Sequence, residues 1–65
     1  GASSVLYFNT NDIESTYAAM KNNGVHFIDK PHIVAKMGHT ETWMTFFKDT
    51  EENTHALISE VKIED

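Results

Sequence analysis

The sequence contains no cysteine and no arginine, and it has one proline and three glycines among 65 residues. Without cysteine, disulfide bridges and thiolate metal sites are excluded, and the expected compartment leans toward the cytoplasm. A chain this short buries only about 60% of the surface that its unfolded form exposes, which limits it to one domain with a small core. Because the chain has no covalent cross-link to stabilise it, we expect it to self-associate.

Positive charge is also scarce, since five lysines stand against ten acidic residues and the formal net charge is −5. No basic stripe follows from these lysines, so nucleic acid is not an expected partner. Apolar runs fall far short of the roughly 20 residues that cross a bilayer, and no signal-peptide pattern opens the chain. We therefore expect a cytoplasmic protein without a membrane partner. The opening Gly1-Ala2-Ser3-Ser4 is compatible with an expression scar or with the cut edge of a longer protein.

One segment has the periodicity of a helix. In "NDIESTYAAMKNNG", residues 11–24, three large apolar or aromatic residues recur at helical spacing, namely Ile13, Tyr17 and Met20. Asn11, followed three residues later by Glu14, resembles a capping box at the start of this helix. Gly24 is the expected stop, because glycine adopts the left-handed conformation without steric cost.

Four extended segments surround this helix and predict the order βαβββ, with turns at "GHTE" and "DTEEN". They are residues 4–10, 25–37, 42–48 and 54–61. In the first segment, Leu6 and Phe8 form the more apolar face and are predicted to meet the core. Pro31 removes one backbone donor from the second segment, which places that segment at a sheet edge or beside a bulge.

The third predicted strand is apolar on both faces. Its two faces carry Trp43, Thr45 and Phe47 on one side and Met44 and Phe46 on the other. A strand with water on one side usually alternates apolar and polar residues. This strand is therefore expected to be covered on both faces. One helix covers one face of a four-stranded sheet. The opposite face of this α+β module therefore needs a ligand, a second module or another copy of the chain.

Two runs carry a resemblance to a known family. "NDIESTYAAMKNNGVHFIDKPH" and "WMTFFKDTEENTHALISE" resemble the C-terminal module of the vicinal oxygen chelate superfamily, which includes glyoxalase I, bleomycin-resistance proteins and extradiol dioxygenases. The resemblance extends from about Val5 to Val61 and looks strongest toward the glyoxalase-like members. Where that family usually has proline and glycine in the last turn, this chain has Thr50 and Glu52.

The resemblance implies an assembly larger than this chain. Members of the family build a cavity from two βαβββ modules, often around a divalent metal, and this chain has the length of one module. It implies either a homodimer that supplies the second module or a fragment of a two-module protein.

The same resemblance bears on the metal. In metal-binding members, a module contributes a His or Glu early in its first strand and a Glu in its last strand. The matching positions here are Val5 and Ala56, and neither side chain has a donor atom for a divalent ion. We therefore predict no metal and no cofactor, as in the bleomycin-binding members.

Individual side chains offer further candidates for a site. The four histidines have no short metal-binding spacing; they are His26, His32, His39 and His55. Among them His32 is placed to contact a ligand, whereas His55 is expected to point to the face opposite Ala56. Glu41 is a possible general base, although a lone acidic residue at a turn is usually solvated. The run Asp49, Glu51 and Glu52 is interpreted as a charged turn.

Three functional hypotheses follow. The first is a metal-independent module for sequestering or sensing a small, aromatic or apolar molecule, whose pocket forms on dimerisation. Its predicted ligand-binding residues are Tyr7, His32, Trp43, Phe47 and Ala56. The second is a metal-dependent lyase, isomerase or dioxygenase that uses an atypical ligand set including His32. The third is a structural half-module or fragment. No nucleophile–base pair is visible, so no catalytic residue is assigned.

Overall fold

The computed structural model describes residues 5–64, so the predictions that fall on Ser4 and on the other terminal positions lie outside the described residues. Within this range the chain has one helix and five strands in a single mixed sheet, which confirms the α+β class and the βαβββ module. The elements in chain order are β1 (Tyr7–Asn9), α1 (Ile13–Asn22), β2 (His26–Phe27), β3 (His32–Met37), β4 (Thr40–Lys48) and β5 (Thr54–Lys62).

The two long strands β4 and β5 form the centre of the sheet. They pair antiparallel over their full length, from Thr40 opposite Lys62 to Lys48 opposite Thr54. β1 lies parallel to the outer side of β5, while β2 and β3 pair antiparallel with the other side of β4. The sheet is therefore two long strands with short strands on both edges.

The predicted second strand is divided into β2 and β3. Between them Ile28 still donates its backbone N–H to the Phe46 carbonyl at 2.8 Å. The Asp29 carboxylate then replaces the missing strand: its Oδ1 accepts the N–H of Phe46 at 2.9 Å and the hydroxyl of Thr45 at 2.7 Å. A register shift follows within β3, and both short strands lie at the sheet edge. The edge position predicted from Pro31 is confirmed, but the prediction of one continuous strand is wrong.

The helix has well-formed ends. Asp12, and not Asn11, is the N-cap, and its Oδ1 accepts the backbone N–H of Ser15 at 3.1 Å. Both residues suit this position, and the Asp12 carboxylate is additionally favoured at the positive end of the helix dipole. At the other end Gly24 has φ +92°, and the N–H of Val25 reaches the carbonyl of Met20 at 3.0 Å. This Schellman-type arrangement confirms the predicted stop at Gly24.

The core lies between α1 and one face of the sheet. Its buried cluster is Ile13, Phe47 and Leu57, with Met20, Val25, Phe27 and Trp43 packed around it. Tyr17 also joins the helix to the sheet, since its ring centroid lies 4.6 Å from that of Phe27. The helical spacing of Ile13, Tyr17 and Met20 therefore predicted the core-facing side of α1 correctly.

β1 contributes less to the core than predicted. The Phe8 ring packs against that of Phe47, with 6.0 Å between centroids, but Leu6 remains 51% exposed. The prediction for Leu6 is wrong: its carbonyl accepts the N–H of Ala56 at 2.9 Å, but β1 is an edge strand and the Leu6 side chain stays exposed there.

The turn between β3 and β4 is shorter than predicted. It consists of Gly38 and His39, because Thr40 and Glu41 already belong to β4. Gly38 has φ +59°, which glycine adopts freely at the first position of a two-residue hairpin loop. In the following turn, Glu52 has φ +67° and is thus a non-glycine residue in the left-handed region.

Candidate functional site

The register of β4 and β5 divides the side chains between two faces of the sheet. Trp43 lies opposite Ser59 and Phe47 opposite His55, on the face that α1 covers. Thr45 and Leu57 point to the same face, whereas their immediate neighbours along each strand point the other way. We call this second surface the open face, and its central residues are Tyr7, Asn9, His32, Met44, Phe46, Ala56 and Ile58.

The centre of the open face is apolar. Tyr7, Ala56 and Phe46 are neighbours in one row across β1, β5 and β4, and Ile58 and Met44 are adjacent in the next row. Tyr7 is 62% exposed, while Ala56 is fully buried between its larger neighbours. Polar side chains extend beyond this strip, with Thr42 opposite Glu60 and Lys48 opposite Thr54. An apolar centre with a polar rim is the usual anatomy of an interface.

The five predicted ligand-binding residues do not meet at one place in a single chain. Tyr7, His32 and Ala56 lie on the open face, whereas Trp43 and Phe47 lie on the helix face. Phe46, not Phe47, is the residue beside Ala56. The sequence already separated Met44 and Phe46 from Trp43 and Phe47, but the pairing that decides which face joins Ala56 depends on strand register.

Two open-face candidates are also far apart. Tyr7 is on β1 at one edge and His32 is on β3 at the other, which separates them by three strand spacings, or roughly 14 Å. The Nδ1 of His32 donates to the carbonyl of Lys30 at 2.8 Å, so this ring is anchored to the loop before its own strand. A small ligand that contacts Tyr7 and Ala56 does not also reach His32 of the same chain.

His55 lies on the helix face, as predicted, and joins two elements. Its Nδ1 accepts the backbone N–H of Leu6 at 3.2 Å, and its Nε2 lies 2.9 Å from Oδ2 of Asp49. Because Nδ1 is the acceptor, the ring hydrogen is on Nε2 and is donated to Asp49. His55 therefore ties the start of β1 to the turn between β4 and β5, a role in the fold.

Asp49 organises that turn. The hydrogen bond from His55, together with those from the N–H of Asn53 and of Glu51, holds the pKa of the Asp49 carboxyl at about 2, below its ordinary 3.8. Hydrogen bonds to a carboxylate stabilise its charged form. The Asp49 carboxylate therefore accepts hydrogen bonds from the turn itself, which agrees with the interpretation of this run as a charged turn.

The residues do not fit the metal that the family resemblance implies. Val5 and Ala56 occupy the two matching positions and have no donor atoms, and in residues 5–64 no three His, Cys, Asp or Glu side chains are grouped closely enough to hold a metal ion.

Glu41 is more constrained than expected for a solvated turn residue. Its Oε1 accepts the indole N–H of Trp43 at 3.2 Å, and its Oε2 lies 3.5 Å from the Lys36 ammonium. Only 15% of its side chain is exposed. The sequence did not indicate this, because β4 was predicted to begin after Glu41. Glu41 and Trp43 together form one wall of a cavity on the helix face.

Comparison of the chain with protein-family models, with curated proteins and with solved structures gives no match. The resemblance to the vicinal oxygen chelate superfamily stays a prediction from the quoted motifs. Across residues 5–64, no helix is long and apolar enough to cross a membrane.

Proposed function

We propose that this chain binds a small aromatic or apolar molecule, without a metal, in a pocket that its open face forms with the open face of a second copy. The observation that carries the proposal is the apolar strip of Tyr7, Ala56, Phe46, Met44 and Ile58 on the side of the sheet away from α1. The occupant of that side decides what the protein does.

A second copy is favoured by the small size of the core. The buried hydrophobic residues of the described chain are Ile13, Phe47, Ala56 and Leu57, whereas ten large hydrophobic residues are exposed. A domain of this length with so few buried side chains gains stability by association. A two-fold arrangement brings the same strip from both copies face to face, as in an isologous interface.

The shape of the strip favours a flat ligand. Ala56 is the small residue of its row, with the rings of Tyr7 and Phe46 on its two sides. Aromatic rings favour offset or edge-to-face contact with another ring, and the tyrosine hydroxyl adds a polar group. The proposed role is sequestration or sensing, which an apolar strip performs through contact with the ligand alone.

The proposal is tested by ligand-observed NMR with a panel of aromatic fragments, comparing the wild type with Tyr7→Glu and Ala18→Glu. Tyr7 and Ala18 are both exposed, but Ala18 is on the helix and far from the strip. We expect fragments to bind the wild type and Ala18→Glu and to lose binding to Tyr7→Glu. A dimer to which no fragment binds, or a Tyr7→Glu variant that binds as well as wild type, would contradict a shared pocket; the former result points to a structural half-module.

A further inference from the structure

The cavity walled by Glu41 and Trp43 lies on the helix face, where the start of α1 meets β4 and β5. It measures about 220 Å³, and the residues around it that matter here are Ile13, Glu14, Glu41, Trp43, Ser59 and Val61. This volume is below the roughly 300–1,000 Å³ of sites for drug-sized ligands, so the cavity suits a smaller molecule. It is separated from the open face by the thickness of the sheet and is independent of it.

One wall of this cavity is held in place by a polar contact. The indole N–H of Trp43 donates to Oε1 of Glu41, and Lys36 contacts the other oxygen of the same carboxylate. The hydrogen bond fixes the direction of the indole ring relative to the carboxylate. Trp43 therefore offers an oriented aromatic ring next to a negative charge, and the face of such a ring attracts cations.

The base of the cavity contains a polar group without a partner. Ser59 is 1% exposed, and its Oγ has no hydrogen-bond partner among residues 5–64. It lies opposite Trp43 in the register, on the face that the cavity occupies. A buried hydroxyl is normally hydrogen-bonded, because leaving it unpaired costs free energy. A hydroxyl that can turn about its own side chain is ready to pair with a donor entering from the cavity.

The charges around the cavity select the sign of the ligand. Glu14 and Glu41 line it, and the Asp12 carboxylate at its edge already caps the helix. The helix N-terminus alone favours anions, but Asp12 and Glu14 already place negative charge there. The cation beside this group is Lys36, which is paired with Glu41, is largely exposed and does not line the cavity. An anionic ligand would therefore face three carboxylates, whereas a cation would face them together with the Trp43 ring.

We propose that this cavity binds a small organic cation: a primary ammonium group on a short apolar or aromatic stem. The ammonium lies over the face of the Trp43 ring, beside the Glu41 carboxylate, and donates to Oγ of Ser59, while the stem packs on Ile13 and Val61. Charge-assisted hydrogen bonds and the cation–π contact supply the selectivity for the ammonium.

Trp43 is the single tryptophan of the chain, so its fluorescence reports on the cavity directly. The probe is benzylammonium, titrated beside benzyl alcohol and benzoate, which share the ring and differ in charge. We expect a saturable change with benzylammonium, about tenfold weaker affinity for the alcohol, and no binding of benzoate. An equal response to all three, or no response to benzylammonium, would overturn the proposal.

Variants separate the cavity from general electrostatics and from the open face. Glu41→Gln keeps an acceptor for the Trp43 N–H but removes the charge. It should weaken the binding of benzylammonium about tenfold. Glu51→Gln removes one charge in the distant turn and should have no effect. If circular dichroism shows that Glu41→Gln does not fold, Glu14→Gln replaces it. Equal affinities of Glu41→Gln (or its replacement) and Glu51→Gln for benzylammonium would refute the site.

Two further variants test the role of the Ser59 hydroxyl and the independence of the cavity from the open face. Ser59→Ala should weaken benzylammonium binding about fivefold, because the hydroxyl accepts a hydrogen bond from the ammonium. Tyr7→Glu, the open-face variant, should bind benzylammonium like wild type, since the two sites lie on opposite faces. Loss of binding in Tyr7→Glu, or unchanged affinity in Ser59→Ala, would contradict this placement.

Discussion

The two faces of β4 and β5 carry side chains of similar size but differ in what covers them. On the helix face, Phe47 and Leu57 are buried under α1. On the open face, Phe46, Met44 and Ile58 are only half-buried. Apolar character alone does not distinguish these faces; the presence of α1 does. An apolar residue of β4 or β5 therefore lies either in the core or on the open face, according to the register of its strand.

The largest difference is expected between neighbouring residues of β5. Leu57→Ala removes a side chain that is 2% exposed and should lower the free energy of unfolding by about 3 kcal/mol. Ile58→Ala, on the open face, should cost less than about 1 kcal/mol when the protein is dilute. Urea unfolding followed by circular dichroism measures both. Equal losses at high dilution would show that the open face is already covered within one chain.

The tether made by His55 is expected to have the next largest effect. His55→Ala removes the side-chain acceptor of the Leu6 N–H and one of the donors to the Asp49 carboxylate, and should cost about 2 kcal/mol. His26→Ala, at an exposed position of β2, is the matched control and should change stability by less than about 0.5 kcal/mol. Amide hydrogen exchange should also show faster exchange at Leu6 in His55→Ala. Unchanged exchange there would refute the tether.

The turn around Asp49 predicts a dependence of stability on pH. Its pKa is about 2 in the folded protein, below the ordinary 3.8, so the folded state favours the ionised carboxyl. The stabilisation is therefore present above the unfolded-state pKa and is lost as the pH falls through this window toward 2. Asp49→Asn should lack this component. Parallel pH profiles for the wild type and Asp49→Asn would contradict the assignment.

The smallest effect concerns the backbone of the same turn. Glu52 has φ +67°, where a residue with a Cβ is strained. Glu52→Gly should stabilise the protein by about 0.5 kcal/mol, because relief of this strain exceeds the added freedom of the unfolded chain. Glu51→Gly, at the neighbouring position, should instead destabilise. Thermal unfolding compares the two, and a loss of stability in Glu52→Gly would refute the strain.

Much of the fold could be predicted from local patterns. Helical spacing identified the core side of α1, and Gly24 marked its end, because both signals lie within one segment. The division of the second strand was missed, since Asp29 acts on Thr45 and Phe46 of a different strand and has no local signature. The exposure of Leu6 was missed for a similar reason: it depends on the position of β1 at the edge of the sheet, which its pairing with β5 decides.

The candidate site was less predictable than the fold. Alternation along each strand separated Phe46 from Phe47, but only register shows which of them adjoins Ala56. Trp43 was predicted to bind the same ligand as Tyr7, but the two residues lie on opposite faces of the sheet, and Trp43 lines the helix-side cavity. That cavity joins the start of α1 to residues more than 25 positions later, so no short motif indicates it.

If a second copy completes the open face, the solution mass of the chain must show it. Light scattering across a dilution series should give twice the chain mass of 7.4 kDa, falling to a single chain mass on dilution. Tyr7→Glu should be monomeric at every concentration, and Ala18→Glu should follow the wild type. A wild-type chain that stays folded and monomeric at high concentration would contradict the claim.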